Sequence, residues 1–189
     1  MTQILEKPLS VAEYLEFERK SETRHEYVDG QLLAMAGEKR KNNRIALNFV
    51  VLLQKVADNT LCEVVSQSVR IRTRASRYRY PDFAVSCAPG DDPYFLENPC
   101  LIVEVLSAST EHTDFGKKLD EYTQLPSLER YVLVSSDEPF VVVYKRMNEQ
   151  WVVQSLEQNG EFDVPCLGVT LTLEQIYDGV IFVGNPKGA

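Results

Sequence analysis

An acidic residue stands in the middle of an otherwise apolar stretch of this chain. Glu104 lies within residues 101–106, which read Leu-Ile-Val-Glu-Val-Leu. Such a run predicts a central strand covered on both faces, where a carboxylate is costly to bury unless a charged group meets it. Two interpretations follow, a structural ion pair with an arginine or a metal ligand, and the surrounding residues favour the metal ligand.

A second carboxylate, Asp82, follows Pro81 at the start of a predicted strand and precedes Glu104 by 22 positions. That separation allows the two strands to pair or to neighbour each other across one loop. Two carboxylates at adjacent strand positions form an oxygen site that suits Mg²⁺, which also takes waters and substrate phosphate oxygens. A zinc or iron site is poorly supported, because the chain has 2 histidines and its 4 cysteines are widely spaced.

A lysine follows the two carboxylates on the next predicted helix. Asp114, Lys118 and Tyr122 are spaced i, i+4 and i+8, so they share one side of that helix. Lys117 and Glu121 have the spacing of a solvated ion pair. Lys118 is therefore the better candidate to point back at the carboxylates, and an exposed helix lysine is the alternative of equal weight.

The elements that must position these side chains alternate between helices and strands. Ser10 and Glu13 form a capping box that begins a first helix. Asp29-Gly30 is the turn of a predicted hairpin over residues 25–36. The other predicted elements are an amphipathic helix over 40–58, one or two strands over 61–74, strands over 82–86, 101–106, 130–135, 140–146 and 151–156, and helices at 112–124 and 173–177.

This order of elements predicts a fold class. Helix, hairpin, helix, strands, helix and strands indicate an α/β (α+β) domain with a mixed central β-sheet flanked by helices. At 189 residues the chain has the length of one domain, and we expect a single domain over residues 1–189.

Charge is distributed unevenly along the chain. The formal net charge of −8 taken alone argues against a protein that coats nucleic acid or an anionic membrane. Residues 39–79, however, hold ten Lys and Arg and two acidic residues, a net charge of +8. This segment is either a solvated, salt-bridged surface or a face that binds phosphates. The candidates for phosphate contacts are Lys39, Arg40, Lys41, Arg44, Arg70, Arg72, Arg74, Arg77 and Arg79, and the alternation of the first three strand arginines, Arg70, Arg72 and Arg74, predicts that they share one face.

The composition also bears on the compartment. No apolar run approaches 18 residues, and residues 1–10 lack an apolar stretch, so we expect neither a membrane-spanning helix nor a secretory signal. The cysteines contain no CxxC pair, and we interpret them as reduced thiols of a cytoplasmic protein. They are Cys62, Cys87, Cys100 and Cys166.

Several of these motifs, taken in order, resemble a known nuclease family. Asp82, Glu104 and a following lysine resemble the PD-(D/E)XK nuclease core, and nearly the whole chain resembles the Uma-type family of restriction-endonuclease domains. Any one motif is weak, but their order and spacing are specific for the family. The resemblance rests on Tyr14-Leu15, residues 25–32, Pro81-Asp82, residues 103–110, Asp114 with Lys118 and Tyr122, and residues 129–134 with the β-ribbon that follows.

The resemblance implies a restriction-endonuclease-like core that hydrolyses phosphodiester bonds with the help of a metal ion. It makes Asp82 and Glu104 the ligands of Mg²⁺, for which Mn²⁺ could substitute, with the backbone carbonyl of Val105 as a further ligand. Glu26 matches an additional acidic position that joins the metal site.

The lysine of the usual ExK motif is missing from its ordinary place. That position, two residues after the acid, is Leu106. The resemblance implies that the family takes its lysine from the next helix, where Lys118 matches. Ala108 stands where proline is usual and Tyr80 where arginine is frequent, and neither departure affects the ligand positions.

The implied partner is nucleic acid, in the first place DNA, and related nucleases suggest a homodimer by analogy. Two alternatives remain open. One is a decayed site that binds nucleic acid without cutting it, and the other is an interaction protein in which Glu104 only pairs with an arginine. The intact set of Glu26, Asp82, Glu104 and Lys118 favours the nuclease.

Overall fold

A computed structural model describes residues 2–3, 8–35, 37, 39–106 and 114–182 of the chain. The segment 107–113 lies outside these residues, and with it the Ser107–Thr110 part of the family motif and the start of the helix predicted over 112–124. The helices are α1 (Val11–Lys20), α2 (Arg40–Ala57), α3 (Leu119–Thr123) and α4 (Leu173–Ile176), with a π-helical turn at Asp114–Lys118 and a 3₁₀ turn at Pro165–Leu167. Within the described parts of the chain, none of the helices combines the length and the apolar character needed to cross a membrane.

The predicted strands occur in the predicted order, together with short strands at residues 2–3, 95–96, 161–164 and 169–172 that the sequence patterns did not predict. They are β1 (Thr2–Gln3), β2 (His25–Val28), β3 (Gln31–Ala34), β4 (Glu63–Ser66), β5 (Arg70–Arg74), β6 (Arg77–Arg79), β7 (Phe83–Ser86), β8 (Phe95–Leu96), β9 (Pro99–Leu106), β10 (Arg130–Ser135), β11 (Phe140–Met147), β12 (Gln150–Glu157), β13 (Glu161–Val164) and β14 (Val169–Thr172).

The central sheet has the order β12-β11-β10-β9-β7-β4. The β9–β10 pair is parallel and the other pairs are antiparallel, so the sheet is mixed, as predicted. All eight residues of β9 are buried. A strand buried on both faces accounts for the nearly continuous apolar run around Glu104.

The second sheet has the order β1-β3-β2-β6-β5-β8. The hairpin β2–β3 turns at Asp29 and Gly30, whose φ angles are 49° and 94°. Positive φ at both central residues is what a two-residue hairpin turn requires, and it explains the Asp-Gly pair. Residues 61–74 form two strands rather than one, since β4 joins the central sheet and β5 joins the second sheet.

Helix α2 covers one face of the central sheet, and α3 packs on the opposite face, where the second sheet also lies. Ile45, Phe49 and Leu53 of α2 are buried, as their periodicity predicted. Side chains of β9 alternate between the two faces, so one set packs towards α2 and the next set packs with Tyr122 of α3. The first set is Leu101, Val103 and Val105, and the second is Ile102 and Leu106, the face to which Glu104 also belongs.

The first helix closes over the second sheet. Ser10 and Glu13 form the predicted capping box at its start. Tyr14 is fully buried and stacks on Tyr27 with ring centroids 4.7 Å apart. The helix is thereby fixed above β2, the strand that carries Glu26.

The four cysteines are paired as disulfides, Cys62–Cys87 and Cys100–Cys166. The prediction of reduced thiols is therefore wrong. It relied on wide spacing along the chain, whereas the sheet brings the end of β7 and the start of β9 beside the α2–β4 connection and the 3₁₀ turn. Because disulfides are rare in cytosolic proteins, the cysteines do not support the expected cytoplasmic location.

Candidate active site

The pairing of β7 with β9 brings two carboxylates together. These strands are antiparallel with Phe83 opposite Val103, and one further step in the same register sets Asp82 opposite Glu104. Oδ2 of Asp82 accepts a hydrogen bond of 2.6 Å from the backbone N–H of Val105. Since the N–H and C=O of a strand residue point to the same neighbour, the carbonyl of Val105 is also directed to the side of Asp82.

Glu104 is met by two donors from the segment that follows it. Nζ of Lys118 and the hydroxyl of Tyr122 each donate to Oε1 of Glu104 at 2.9 Å. Glu104 is 3% exposed and Lys118 is 7% exposed. The buried carboxylate therefore has both the charged partner and the hydrogen bond that make its burial tolerable.

A third carboxylate, that of Glu26, reaches the same lysine from the second sheet. Nζ of Lys118 lies 3.5 Å from Oε1 of Glu26. Nη1 of Arg79 donates to Oε2 of Glu26 at 2.8 Å, and the backbone N–H of Tyr80 donates to Oε1 at 3.4 Å. Lys118 thus links a residue of each sheet, Glu104 and Glu26, in one buried cluster.

Arg79 extends this cluster to Glu121. Its Nε and Nη2 donate to the two carboxylate oxygens of Glu121 at 2.9 and 2.6 Å, and Thr73 donates to Oε2 at 3.0 Å. Arg79 is 1% exposed and Glu121 is fully buried. The prediction that Glu121 forms a solvated pair with Lys117 is wrong, because the helix turns this face inward and two arginines of β6, Arg77 and Arg79, neutralise the carboxylate.

Burial and charge within the cluster shift the pKa values of three of its side chains. Burial by itself would raise the pKa of Glu26, but the positive charges of Lys118 and Arg79 outweigh it and hold the pKa below its ordinary value. The pKa of Glu121 is likewise lowered, because hydrogen bonds and charge from Arg79 outweigh burial. Burial and the negative charge of Glu104 raise the pKa of Tyr122. Its hydroxyl therefore stays protonated and acts as a donor.

The local sequence after residue 113 explains why one short segment supplies three of these groups. The π-helical turn Asp114–Lys118 runs directly into α3. Lys118, Glu121 and Tyr122 are spaced i, i+3 and i+4, which sets them on one face. That face lies against β5, β6 and β9, the strands that carry their partners Thr73, Arg79 and Glu104.

The structure divides the predicted basic face. Arg79 and Arg70 are buried, Arg79 between two carboxylates and Arg70 with its guanidinium 5.6 Å from the ring centroid of Tyr14. Arg70, Arg72 and Arg74 do not share one exposed face, because Arg72 is exposed and the register of β5 shifts after it. The expectation of an exposed face therefore fails for Arg70 and Arg79, since α1 and the acidic cluster cover them.

The other basic candidates lie nearer the surface. Arg77 pairs with Asp29 and Glu121, and Arg74 pairs with Asp120 at 2.7 Å. Lys41 pairs with Asp137, which follows β10. The start of α2 therefore lies near the C-terminal ends of β9 and β10, and it carries the basic residues Lys39, Arg40, Lys41 and Arg44.

Three carboxylates of this site have oxygens of the kind that fit Mg²⁺ and Mn²⁺. Asp82, Glu104 and Glu26 stand on three strands or strand ends, but they do not form one of the groups of three ligand atoms that lie within 4.8 Å of one another among the described residues, and Lys118 stands between Glu104 and Glu26. Sequence reasoning missed Arg79 and Glu121 as members of the cluster. The i+4 spacing of Tyr122 from Lys118 was the available signal for Tyr122, whereas Arg79 gave none, since it stands in a run of arginines.

Comparison with known proteins places this fold and chain in a family. The Uma2 family, described as "Putative restriction endonuclease", matches residues 11–174. In Synechocystis sp., the uncharacterized protein slr1290 is 33% identical over 178 residues, covering 92% of this chain and 94% of the relative. The uncharacterized protein sll1609 is 29% identical over 167 residues, covering 83% and 93%.

A solved structure shares the fold. The crystal structure of "a putative nuclease belonging to DUF820" from Anabaena variabilis has a TM-score of 0.73 and 19% identity, covering 92% of this chain and 100% of that chain. The predicted restriction-endonuclease-like fold, a mixed sheet flanked by helices, is confirmed. With the match over residues 11–174, the chain belongs to the Uma2 family, as its motifs predicted.

Proposed function

We propose that the chain is a Mg²⁺-dependent endonuclease that hydrolyses phosphodiester bonds of DNA. The observation that carries this proposal is the meeting of Glu104 and Glu26 at Lys118, beside Asp82. Membership of the family described as "Putative restriction endonuclease" supports it, and so does the structural neighbour described as "a putative nuclease".

In this proposal the carboxylates of Asp82 and Glu104 hold Mg²⁺ with the backbone carbonyl of Val105. Glu26 serves as a further ligand or orients a water. Mn²⁺ can take the same oxygen ligands. A divalent cation bound there would polarise the phosphate and lower the pKa of a coordinated water.

Lys118 is the group proposed to act on the reacting atoms. Its ammonium, held between Glu104 and Glu26, is suited to orient the attacking water or to stabilise charge that develops on the phosphate. Tyr122 and Arg79 act through other residues. Tyr122 orients Glu104 through its hydroxyl, and Arg79 orients Glu26 through its guanidinium.

The phosphate backbone would be bound by basic residues that are exposed or half-buried at the surface. Such contacts supply affinity that falls with salt and carries little sequence information. We assign this role to the start of α2 and to the surface arginines of β5 and β6, which are Lys39, Arg40, Lys41, Arg44, Arg72, Arg74 and Arg77.

The test is a cleavage assay on supercoiled, linear and single-stranded DNA and on RNA, with Mg²⁺, with Mn²⁺ and with a chelator. Wild-type protein should cut DNA only with the metal. Asp82→Ala and Glu104→Ala should abolish cutting, and Lys118→Ala should lower the rate by about 10²-fold or more. Glu157→Gln removes an exposed carboxylate on the far edge strand β12, and its rate should match the wild type.

Cleavage that persists in the double variant Asp82→Ala/Glu104→Ala would contradict the assigned site. Binding of DNA with a steep salt dependence, but without cutting under any metal condition, would contradict the enzyme and favour the decayed module. We propose in addition that the chain acts as a homodimer, so that two copies of the site reach two strands. Light scattering should then give the mass of two chains, and the mass of one chain with DNA bound would contradict the dimer.

A further inference from the structure

All four cysteines of the chain meet at one place, far from the acidic cluster. Cys62 lies between α2 and β4, Cys87 directly follows β7, Cys100 lies at the start of β9, and Cys166 lies in the 3₁₀ turn after β13. Cys100 is buried and the other three are partly buried against the main core. Four separate elements thus each contribute one sulfur to the same position.

The sulfurs are closer than two independent disulfides require. Cys87 belongs to one pair and Cys100 and Cys166 to the other, yet the Sγ atoms of these three all lie within 4.8 Å of one another. Cys62 is bonded to Cys87, and its Sγ lies 3.9 Å from the backbone oxygen of Cys166. The proximity of the Cys87 sulfur in one pair to the Cys100 and Cys166 sulfurs in the other indicates a shared function, to which Cys62 would add a fourth sulfur.

The spacing of the sulfurs of Cys87, Cys100 and Cys166 approaches that of a tetrahedral zinc site, and Cys62 adjoins them through its bond to Cys87. With Zn–S bonds of about 2.3 Å, the sulfurs of a tetrathiolate site lie about 3.8 Å apart. Thiolates are the soft ligands that Zn²⁺ accepts in structural sites, and four of them close the coordination sphere. The usual short spacing between ligands is not needed here, because the sheet rather than a local loop brings the cysteines together.

We propose that the four cysteines, when reduced, bind one Zn²⁺ as a structural tetrathiolate site, and that the two disulfides are the oxidised form of the same site. A dithiol reductant supplies two electrons and two protons to each disulfide and becomes a disulfide itself. The four resulting thiols release four protons when their sulfurs bind the ion. Oxidation by a disulfide compound reverses these steps and releases Zn²⁺.

The four cysteines lie on or beside the strands of the candidate active site. Asp82 directly precedes β7 and Cys87 directly follows it, while Cys100 lies four residues before Glu104 on β9, a distance of about 13 Å along the strand. The cysteines therefore join the ends of β7 and β9 that are far from Asp82 and Glu104, and these are the two strands whose register sets Asp82 opposite Glu104.

The experiment measures metal binding by the full chain after reduction with a dithiol, which is then removed without oxygen. Titration with Co²⁺ should give the intense visible absorption of a tetrahedral thiolate site, and Zn²⁺ should displace it at one ion per chain. The oxidised protein should have no free thiols and no such absorption. The variant Asp82→Ala/Glu104→Ala should keep the cobalt spectrum, because its changes lie at the other end of the strands.

Cys166→Ser and Cys62→Ser each remove one ligand, and circular dichroism shows whether each variant is folded. A folded variant should lose the wild-type spectrum and bind Zn²⁺ more weakly. Reduced wild-type protein that shows no thiolate absorption with Co²⁺ would overturn the proposal. An unchanged spectrum in both cysteine variants would overturn it as well.

Discussion

The two ends of the β7–β9 pair are held by opposite kinds of chemistry. At one end, Glu104 accepts from Lys118 and Tyr122, Asp82 accepts from the backbone of Val105, and ion pairs of Lys118 and Arg79 with Glu26 extend this buried network. At the other end, Cys87 and Cys100 belong to a group of four sulfurs. The same two strands therefore carry an oxygen-rich site and a sulfur-rich site.

The difference shows how a buried polar group is kept in place. Each charge at the acidic end depends on partners from other elements, so the loss of one partner leaves a buried charge without compensation. The cysteine end is covalently joined, and its contribution depends on the redox state rather than on pH. We therefore expect the two ends to respond to different perturbations.

The largest effect is expected from the arginine at the centre of the acidic end. Arg79→Ala leaves the buried carboxylates of Glu26 and Glu121 with only Lys118 and Arg77 as their respective cations, and the free energy of unfolding should fall by about 3–5 kcal/mol. Urea denaturation measures the change. Arg40→Ala, at an exposed position in the same basic segment, should stay within about 0.5 kcal/mol of wild type. Equal effects of the two variants would contradict the network.

The next effect belongs to the cysteine end. Cys166→Ser opens the disulfide between residues 66 positions apart, and in oxidised protein it should lower the free energy of unfolding by about 2–4 kcal/mol. Urea denaturation of oxidised wild type and variant gives the difference. The difference should nearly vanish when both proteins are reduced in the presence of a chelator. A difference that persists there would show that packing, and not the cross-link, is responsible.

A smaller effect is expected at the hydroxyl that meets Glu104. Tyr122→Phe removes one donor but leaves Lys118, so the free energy of unfolding should fall by about 1.5–3 kcal/mol. Thermal and urea unfolding give the value. Tyr94→Phe removes a hydroxyl from a half-exposed ring and should change stability by less than about 0.5 kcal/mol. If Tyr122→Phe behaved like Tyr94→Phe, the hydrogen bond to Glu104 would contribute nothing.

The smallest expected effect is on how steeply the free energy of unfolding changes with pH. The pKa of Glu121 is lower in the folded chain than its ordinary value of 4.5, so its contribution is complete above about pH 4.5 and is lost as pH falls through the folded pKa. Glu121→Gln should remove up to about 1.4 kcal/mol per pH unit from the acid-side slope of stability. Cys166→Ser should keep the wild-type slope, and an altered slope there would contradict the separation of the two ends.

Much of the fold follows from local patterns in the sequence. The Asp29-Gly30 hairpin, the Ser10 capping box, the amphipathic α2 and the buried strand around Glu104 were all predictable, because each depends on neighbours a few residues away. Membership of the family could be predicted for the same reason, since its motifs are short segments in a fixed order.

The partners of the charged and sulfur groups required the tertiary structure. A run of arginines does not reveal that Arg79 turns inward to two carboxylates while Arg72 stays at the surface. Burial is decided by which elements cover a strand, and this depends on contacts between residues distant in sequence. Glu121 was misassigned for that reason, because its i+4 neighbour Lys117 is local and Arg79 is not.

Local sequence patterns were enough to predict the order of the main elements and the acidic residue that a central strand has to accommodate. The groups that meet this residue became known only from the folded chain, as did the approach of Cys62, Cys87, Cys100 and Cys166 at the other end of the same strands. Strand pairing aligns residues by register rather than by distance along the chain, and distance along the chain is all that a sequence pattern reports. A one-residue shift of β7 against β9 would move Asp82 away from its place opposite Glu104.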